Sequence, residues 1–186
     1  MYFLILITGN LVLIIIILIL SITSLTVSNW VSQGEGSENW SGSLLSKSNT
    51  FYTNLSCNSH NKHTCEGYMK LWKAGVIYLS FELLCITLMC VLVFVLLKAI
   101  NKIKIKREFS IVLSIGSAFA HIFGFIVWFL IANPVFSDKC NVIFRDDPDA
   151  NVCAKDGPVI GLSLLILHIL SIVYTAIVWA HLQINS

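Results

Sequence analysis

The sequence predicts an all-α membrane protein built from four transmembrane helices. Apolar residues make up 56% of the 186 residues and charged residues only 12%, and the mean hydropathy is +0.82. The apolar residues are concentrated in four long runs that polar blocks separate. A soluble domain of this length cannot bury so much apolar surface, so lipid must cover it.

The first apolar run covers residues 3–27. About 20 residues span a bilayer core, so this run is long enough. It lacks the basic start and the small-residue cleavage site of a signal peptide, which predicts a retained helix. Asn133-Pro134 ends the third run, because the residue before a proline avoids helical dihedral angles. Gly157-Pro158 begins the fourth run, because proline is favoured in the first turn of a helix. The remaining spans are expected at residues 74–97, 109–132 and 159–182.

Basic residues predict the orientation. The loop of residues 98–108 carries one acid, Glu108, and a cluster of basic side chains: Lys98, Lys102, Lys104, Lys106 and Arg107. Under the positive-inside rule this loop is cytoplasmic. Both termini are then cytoplasmic, and the polar blocks of residues 28–72 and 133–158 are extracellular. The whole chain, residues 1–186, is expected to be one multi-pass domain of the plasma membrane.

Two N-glycosylation sequons in the first polar block support this orientation. They are Asn39-Trp40-Ser41 and Asn54-Leu55-Ser56. A modifying enzyme reaches such sites only on the lumenal side of the membrane. We therefore expect Asn39 and Asn54 to be glycosylation sites, although such tripeptides also arise by chance.

Four cysteines lie in the polar blocks as two close pairs. Cys57 and Cys65 are in the first block, and Cys140 and Cys153 are in the second. An oxidising compartment favours one disulfide within each block, which stabilises a small polar excursion by restricting its unfolded ensemble. Crossed pairing between the blocks is an open alternative.

Zinc binding is a second alternative for the first pair. The sequence CNSHNKHTC places Cys57, His60, His63 and Cys65 together, and these residue types bind zinc. Their spacing matches no common zinc module, so we expect no metal. Cys85 and Cys90 lie inside the second span and are expected to be packing residues.

The predicted spans contain a few polar residues. Glu82 lies about 12 Å from the outer end of the second span, at 1.5 Å per residue, and His121 and His168 fall at comparable depth on the next two spans. An intramembrane acid is a functional candidate. We expect Glu82 to pair with one or both histidines, either for function or as a structural hydrogen bond. Ser171 and Thr175 extend the polar face of the fourth span.

The order of these features resembles the claudin and peripheral-myelin-protein superfamily. Trp30 follows the first span, then come sequons and the close pair Cys57 and Cys65, and a short second block completes four spans. The Gly-Leu-Trp motif of claudins is absent, because residues 53–55 read Thr-Asn-Leu. The resemblance is therefore at superfamily level, and the second-block cysteines resemble the lipoma-fusion-partner-like branch.

This resemblance implies a four-helix bundle that supports a small extracellular β-sheet from both outer loops, held by the first-loop disulfide. Trp30 is the framework residue. Residues 50–55 are rich in β-formers, and residues 134–136 can supply an edge strand. The Ser- and Gly-rich residues 31–49 are expected to be mobile.

No nucleotide-binding loop, metal triad or nucleophile–base pair is visible. We therefore expect no catalysis, no cofactor and no nucleic-acid partner. The expected partners are the lipid bilayer and other membrane proteins. The resemblance implies contacts of the extracellular loops at a cell junction or in membrane organisation. The alternative is an auxiliary subunit that controls the trafficking or gating of an ion channel or receptor. An enzyme or transporter that works through Glu82 and the histidines is a third possibility.

Overall fold

The fold is that of a computed structural model, which describes residues 2–33, 40–47, 50–54, 62–101, 107–136 and 152–184. Four long helices are present: α1 (Tyr2–Thr26), α2 (Lys62–Ile100), α3 (Arg107–Ala132) and α4 (Asp156–Ile184). Each contains a stretch long and apolar enough to cross a membrane. The prediction of four membrane-length helices is therefore confirmed.

The residues expected to end α3 and begin α4 do so. Asn133 adopts a positive φ of 45°, and its backbone N–H donates to the Phe129 carbonyl at 2.9 Å. This is a left-handed helix cap, which asparagine tolerates, and Pro134 prevents continuation. At the other end, Asp156 in the first turn of α4 interacts favourably with the positive end of the helix dipole.

Helix α2 is much longer than the span expected from hydropathy. It begins at Lys62, twelve residues before position 74, so the end of the predicted outer loop 28–72 is helical. This part of the helix is amphipathic, with buried residues spaced three or four apart. The buried residues are Tyr68, Leu71, Ala74 and Tyr78, whereas Glu66, Met69, Lys70 and Lys73 are exposed. Packing of one face stabilises the extension, because most helical stability in proteins comes from such packing.

A six-stranded sheet combines both polar blocks. Its strands are β1 (Val31–Gln33), β2 (Trp40–Gly42), β3 (Ser46–Lys47), β4 (Thr50–Phe51), β5 (Pro134–Val135) and β6 (Val152–Ala154). Their order is β4-β3-β2-β1-β6-β5. All neighbours are antiparallel except β5 and β6. A small sheet built from both blocks is therefore present, as the resemblance implied.

Strands β1 and β6 join the two blocks, with Val31 opposite Ala154 and Ser32 opposite Cys153. The expected edge strand at residues 134–136 is present as β5. Where the structure describes residues 31–49, it shows three strands, β1 to β3, and the expected mobility of this stretch stays a prediction. Short polar strands form here because backbone hydrogen bonds to neighbours compensate for weak β propensity.

The chain divides into two compact units. The helical unit comprises Met1–Ile22, Phe81–Phe123 and Leu162–Ser186, and the sheet unit comprises Thr23–Ser80 and Gly124–Gly161. The sheet unit has its own core, which includes Trp30, Tyr52, Tyr78 and Trp128. It also holds the end of α1, the start of α2, the end of α3 and the start of α4, so consecutive helices run in alternating directions.

Gly75 allows the sheet unit to close. A methyl group at Gly75 would clash with the Leu44 backbone carbonyl and lie 3.0 Å from the Leu45 side chain, whereas one at Gly116 would meet only Leu88 at 3.5 Å. We expect Gly75→Ala to lower the unfolding free energy by about 1–3 kcal/mol through overpacking.

Gly116→Ala is the matched control, since alanine is also favoured in a helix by about 1 kcal/mol. Thermal unfolding of both purified variants in the same detergent measures the difference. Equal unfolding temperatures would show that Gly75 does not limit packing in solution.

Candidate functional site

Trp30 is the central side chain of the sheet unit. Its indole is fully buried, and its Nε1–H donates to the Ser24 carbonyl at 2.7 Å. The ring contacts Tyr78 at a centroid distance of 4.8 Å and Trp128 at 4.9 Å. Tilted and edge-to-face geometries of this kind are favourable beyond their apolar burial. The predicted framework residue therefore joins the end of α1 to α2 and α3.

The backbone of the same segment links the two polar blocks. The Trp30 N–H donates to the Gly42 carbonyl at 2.7 Å, and the Trp30 carbonyl accepts from the Lys155 N–H at 3.2 Å. Gly157 lies against the indole, where even a methyl group would be 2.5 Å from ring atoms. Trp30 is thus fixed by both its side chain and its backbone.

Two tyrosines hold the far half of the sheet on α2. Tyr52 is buried and stacks on Tyr68 with centroids 5.7 Å apart, while its hydroxyl donates to the Ser43 carbonyl at 3.1 Å. Lys47 Nζ donates to the Tyr68 hydroxyl at 2.7 Å. Burial, and secondarily the neighbouring Tyr68, raises the pKa of Tyr52 above its ordinary value. The Tyr52 phenol therefore stays protonated and able to donate.

The two edges of the sheet differ. On β4, Thr50 and Phe51 are both exposed, and the Phe51 side chain is 54% exposed. Phe51 forms no ring–ring contact with any residue that the structure describes. Beyond β5, Phe136 is similarly exposed at 52%, but its ring stacks on Phe129 with centroids 6.1 Å apart. An edge strand presents backbone hydrogen-bonding groups to solvent or to another chain, and β4 does so beside an unpartnered phenylalanine ring.

The structure describes two of the four cysteines predicted to form disulfides. Cys65 lies in the first turn of α2 and Cys153 lies buried on β6, and neither is a free thiol. Cys57 and Cys140 lie outside the described residues, so their pairing stays a prediction.

Half of the alternative zinc group and the asparagine of one sequon also fall outside the described residues. These are Cys57 and His60 of the zinc group, and Asn39 of the sequons. Asn54 ends a short 3-10 helix, Tyr52–Asn54. The described part of the chain contains no group of three or more His, Cys, Asp or Glu residues that could hold a metal ion.

The helical unit contains a buried polar cluster. His121 Nδ1 and Glu82 Oε2 lie 2.7 Å apart, and both side chains are fully buried. The His121 ring stacks on His168 with centroids 5.2 Å apart. His168 Nε2 lies 3.5 Å from the Sγ atom of Cys85. The structure therefore brings together the three intramembrane polar residues expected from the sequence and adds Cys85, which was expected only to pack.

Sequence reasoning missed a second polar contact. Asn10 of α1 is fully buried, and its Nδ2 donates to Thr175 Oγ1 at 3.1 Å. The available signal was simple, since Asn10 is the only amide in the first apolar run. A polar side chain within a span usually faces another helix rather than lipid.

The Glu82–His121 contact gives a testable energetic prediction. Removing one partner of a buried pair leaves the other without its hydrogen bond, which costs about 3 kcal/mol or more, whereas replacing both with apolar residues is often nearly neutral. We expect Glu82→Leu and His121→Leu each to destabilise the protein strongly, and the double variant to recover most of the loss.

Denaturant titration of the detergent-purified variants measures these differences. Strictly additive effects would mean that the two side chains are not coupled in the folded protein.

Comparison with models of known protein families, with curated proteins and with solved structures finds no match to this chain.

Proposed function

We propose that this chain is a claudin-like plasma-membrane protein that acts through protein–protein contacts of its extracellular sheet, in cell contact or membrane organisation. The observation that carries the proposal is edge strand β4, where Thr50 and Phe51 are exposed on a sheet that Trp30 fixes to the helices. A rigid, apolar edge outside the membrane is suited to recognition by another chain.

The polar residues support the orientation in this proposal. The basic loop of residues 98–108 belongs on the cytoplasmic side under the positive-inside rule. The predicted topology places one span between this loop and each polar block, so the sheet formed by the two blocks belongs to the opposite side. Asn39 and Asn54 are glycosylation sites in this arrangement, and both termini are cytoplasmic.

The disulfides of the proposal are Cys57–Cys65 and Cys140–Cys153, one in each block. They fit a small surface excursion whose strands are only two or three residues long. Isolated short strands are marginal in water. A covalent link at each block reduces the conformational entropy of the unfolded chain, which favours the folded sheet.

The partner that best fits β4 is the β4 strand of a second copy of this chain. A two-fold axis beside the strand would pair the two edges antiparallel and bring the two Phe51 rings together. In such an isologous contact, the same β4 edge serves as the binding surface on both copies. The short strand makes each contact weak, so many copies in one contact zone would act together.

Substitution of Phe51 tests this contact. In cells that express the full-length protein, we expect enrichment at boundaries between two expressing cells and loss of that enrichment in Phe51→Ser. Loss of a central aromatic contact costs about 2 kcal/mol, or about 30-fold in affinity. Fluorescence at cell boundaries, normalised to total surface protein, provides the measurement.

Phe136→Ser is the matched control, because Phe136 is equally exposed but already stacks on Phe129. Equal loss in both variants, or normal enrichment of Phe51→Ser, would overturn the β4 assignment. Co-purification of an ion channel or receptor in place of self-association would identify the chain as an auxiliary subunit.

The orientation has its own test. We expect Asn39→Gln and Asn54→Gln each to remove one glycan, which lowers the apparent mass on a gel in two equal steps. Glycosidase treatment of the unmodified protein should give the mass of the double variant. A sequon placed instead in the loop of residues 98–108 should stay unmodified, and its modification would reverse the proposed orientation.

A further inference from the structure

The interior of the helical unit has two rows of polar residues that no packing requirement explains. On α3, polar residues recur at helical spacing and are all buried: Ser110, Ser114, Ser117 and His121. On α4 a second buried row begins at His168 and continues through Ser171, Thr175 and Trp179. Residues three or four apart lie on one helix face, so each row follows the length of its helix.

The two rows meet at the histidines. Stacking of His121 on His168 places the two faces together at one level. Because α3 and α4 run in opposite directions, the α3 row and the α4 row extend from these histidines toward the same end, where α3 begins. The first and last residues of each row are eleven positions apart, or about 16 Å at 1.5 Å per residue.

Several polar groups of these rows have no hydrogen-bond partner among the described residues. They are Ser110 Oγ, Ser114 Oγ, Ser171 Oγ and Trp179 Nε1, together with Glu82 Oε1 at the far end. Leaving a buried polar group unsatisfied costs about 1–3 kcal/mol. Native interiors avoid this cost with ordered water, which needs a polar site and two to four partners.

Other hydroxyl groups bond to their own helix. Ser117 of the α3 row donates to the Ser114 carbonyl at 2.9 Å, and two exposed hydroxyls of α2 do the same. Ser80 donates to the Val76 carbonyl at 2.8 Å, and Thr87 donates to the Leu83 carbonyl at 2.8 Å. Serine in an apolar environment satisfies itself through its own helix in this way. The interior hydroxyls of Ser110, Ser114 and Ser171 do not, although the same type of carbonyl lies one turn away. Their free donors indicate a hydrated interior rather than a dry one.

The unsatisfied groups named above lie on α2, α3 and α4. At the same end, α1, α2 and α4 meet through an apolar cluster of Ile7, Ala99 and Val178. Asn10 and Thr175 satisfy each other. The unsatisfied groups therefore mark a narrow route along α3 and α4, which leads from the start of α3 to Glu82.

We propose that Glu82, His121 and His168 form a buried proton-binding site, and that a file of water molecules along the two polar rows connects it with solution at the end where α3 begins. Glu82 Oε1 is the accepting atom, because Oε2 is already held by His121 Nδ1. Among the described residues, the other titratable group that contacts the site is Cys85 of α2, beside His168.

Proton binding at this site is balanced. A proton from solution enters the file, each water forms one O–H bond as it gives up another, and the last proton bonds to Oε1. The carboxylate becomes a carboxylic acid, and no bond to carbon changes. A charged group inside the bundle would thereby be neutralised in response to pH on one side of the membrane.

Cys85 offers a natural reporter of water access. Its thiol lies beside His168, and Cys90 on the same helix is exposed on the outer surface of the bundle. In full-length protein in lipid nanodiscs, Cys85→Ala and Cys90→Ala assign the infrared S–H band of each of these two thiols. We expect the Cys85 thiol proton to exchange readily for deuterium on transfer to D₂O, which shifts its band. The triple variant Ser110→Ala, Ser114→Ala and Ser171→Ala should slow that exchange about ten-fold, because it removes side chains that bond to the water file.

The matched control combines Ser80→Ala with Thr87→Val, which removes hydroxyls that are already bonded within α2. It should leave exchange at Cys85 unchanged. A Cys85 band that persists for hours in the unmodified protein, or one that is equally fast in the triple serine variant, overturns the proposed water file.

A pH titration of the same sample followed by infrared spectroscopy tests proton binding separately and does not depend on the serine variants folding. We expect a carboxyl C=O band to appear as pH falls and to be absent in Glu82→Gln. A Glu82 carboxyl group that keeps one protonation state throughout the pH range of the folded protein overturns the proton-binding site.

Discussion

The burial of the Trp30 indole is the constraint on which the sheet unit depends. The ring lies where the end of α1, the body of α2 and the end of α3 meet, and Gly157 at the start of α4 lies against it. Because Nε1–H donates to the Ser24 carbonyl, one side chain both fills the core and fixes the chain leaving α1. That exit sets the position of β1, from which the rest of the sheet extends on both sides.

The helical unit solves a different problem. Its outer surface is apolar, with exposed residues such as Val112, Phe119 and Ile177, so in a bilayer the hydrophobic effect would not favour its interior over its exterior. Association of helices in lipid instead depends on close packing and on hydrogen bonds between helices. Asn10 with Thr175, and Glu82 with His121, supply such bonds. A pair of this kind is satisfied only when its helices are in one register, which helps specify a single arrangement.

Sequence predicted those features that depend on local chemistry. Asn133-Pro134 stops α3 because backbone sterics leave few alternatives. Glu82 and His121 lie at similar depths within their apolar runs, and a buried acid needs a hydrogen-bonding partner. These two facts predicted that the side chains pair. The early start of α2 at Lys62 was missed, since its amphipathic first turns become helical only when Tyr68 and Tyr78 pack in the core of the sheet unit. Strands of two or three residues likewise have no signal of their own, because the pairing partners of β1 and β6 are more than a hundred residues apart in sequence.

The different treatment of the two sheet edges follows from what each is attached to. Strand β5 leaves α3 directly through Asn133, so its exposed Phe136 lies near enough to stack on Phe129 of that helix. Among the described residues, strand β4 has no such attachment on its outer side. It is held from beneath, where Tyr52 directly after it stacks on Tyr68 of α2. In the proposed contact, Thr50 and Phe51 would engage another chain without loss of a side-chain contact among the described residues, and the sheet would not need to reorganise. Preorganisation of this kind lowers the entropic cost of association. A strand of two residues forms few hydrogen bonds, so the proposed contact depends on that cost being low.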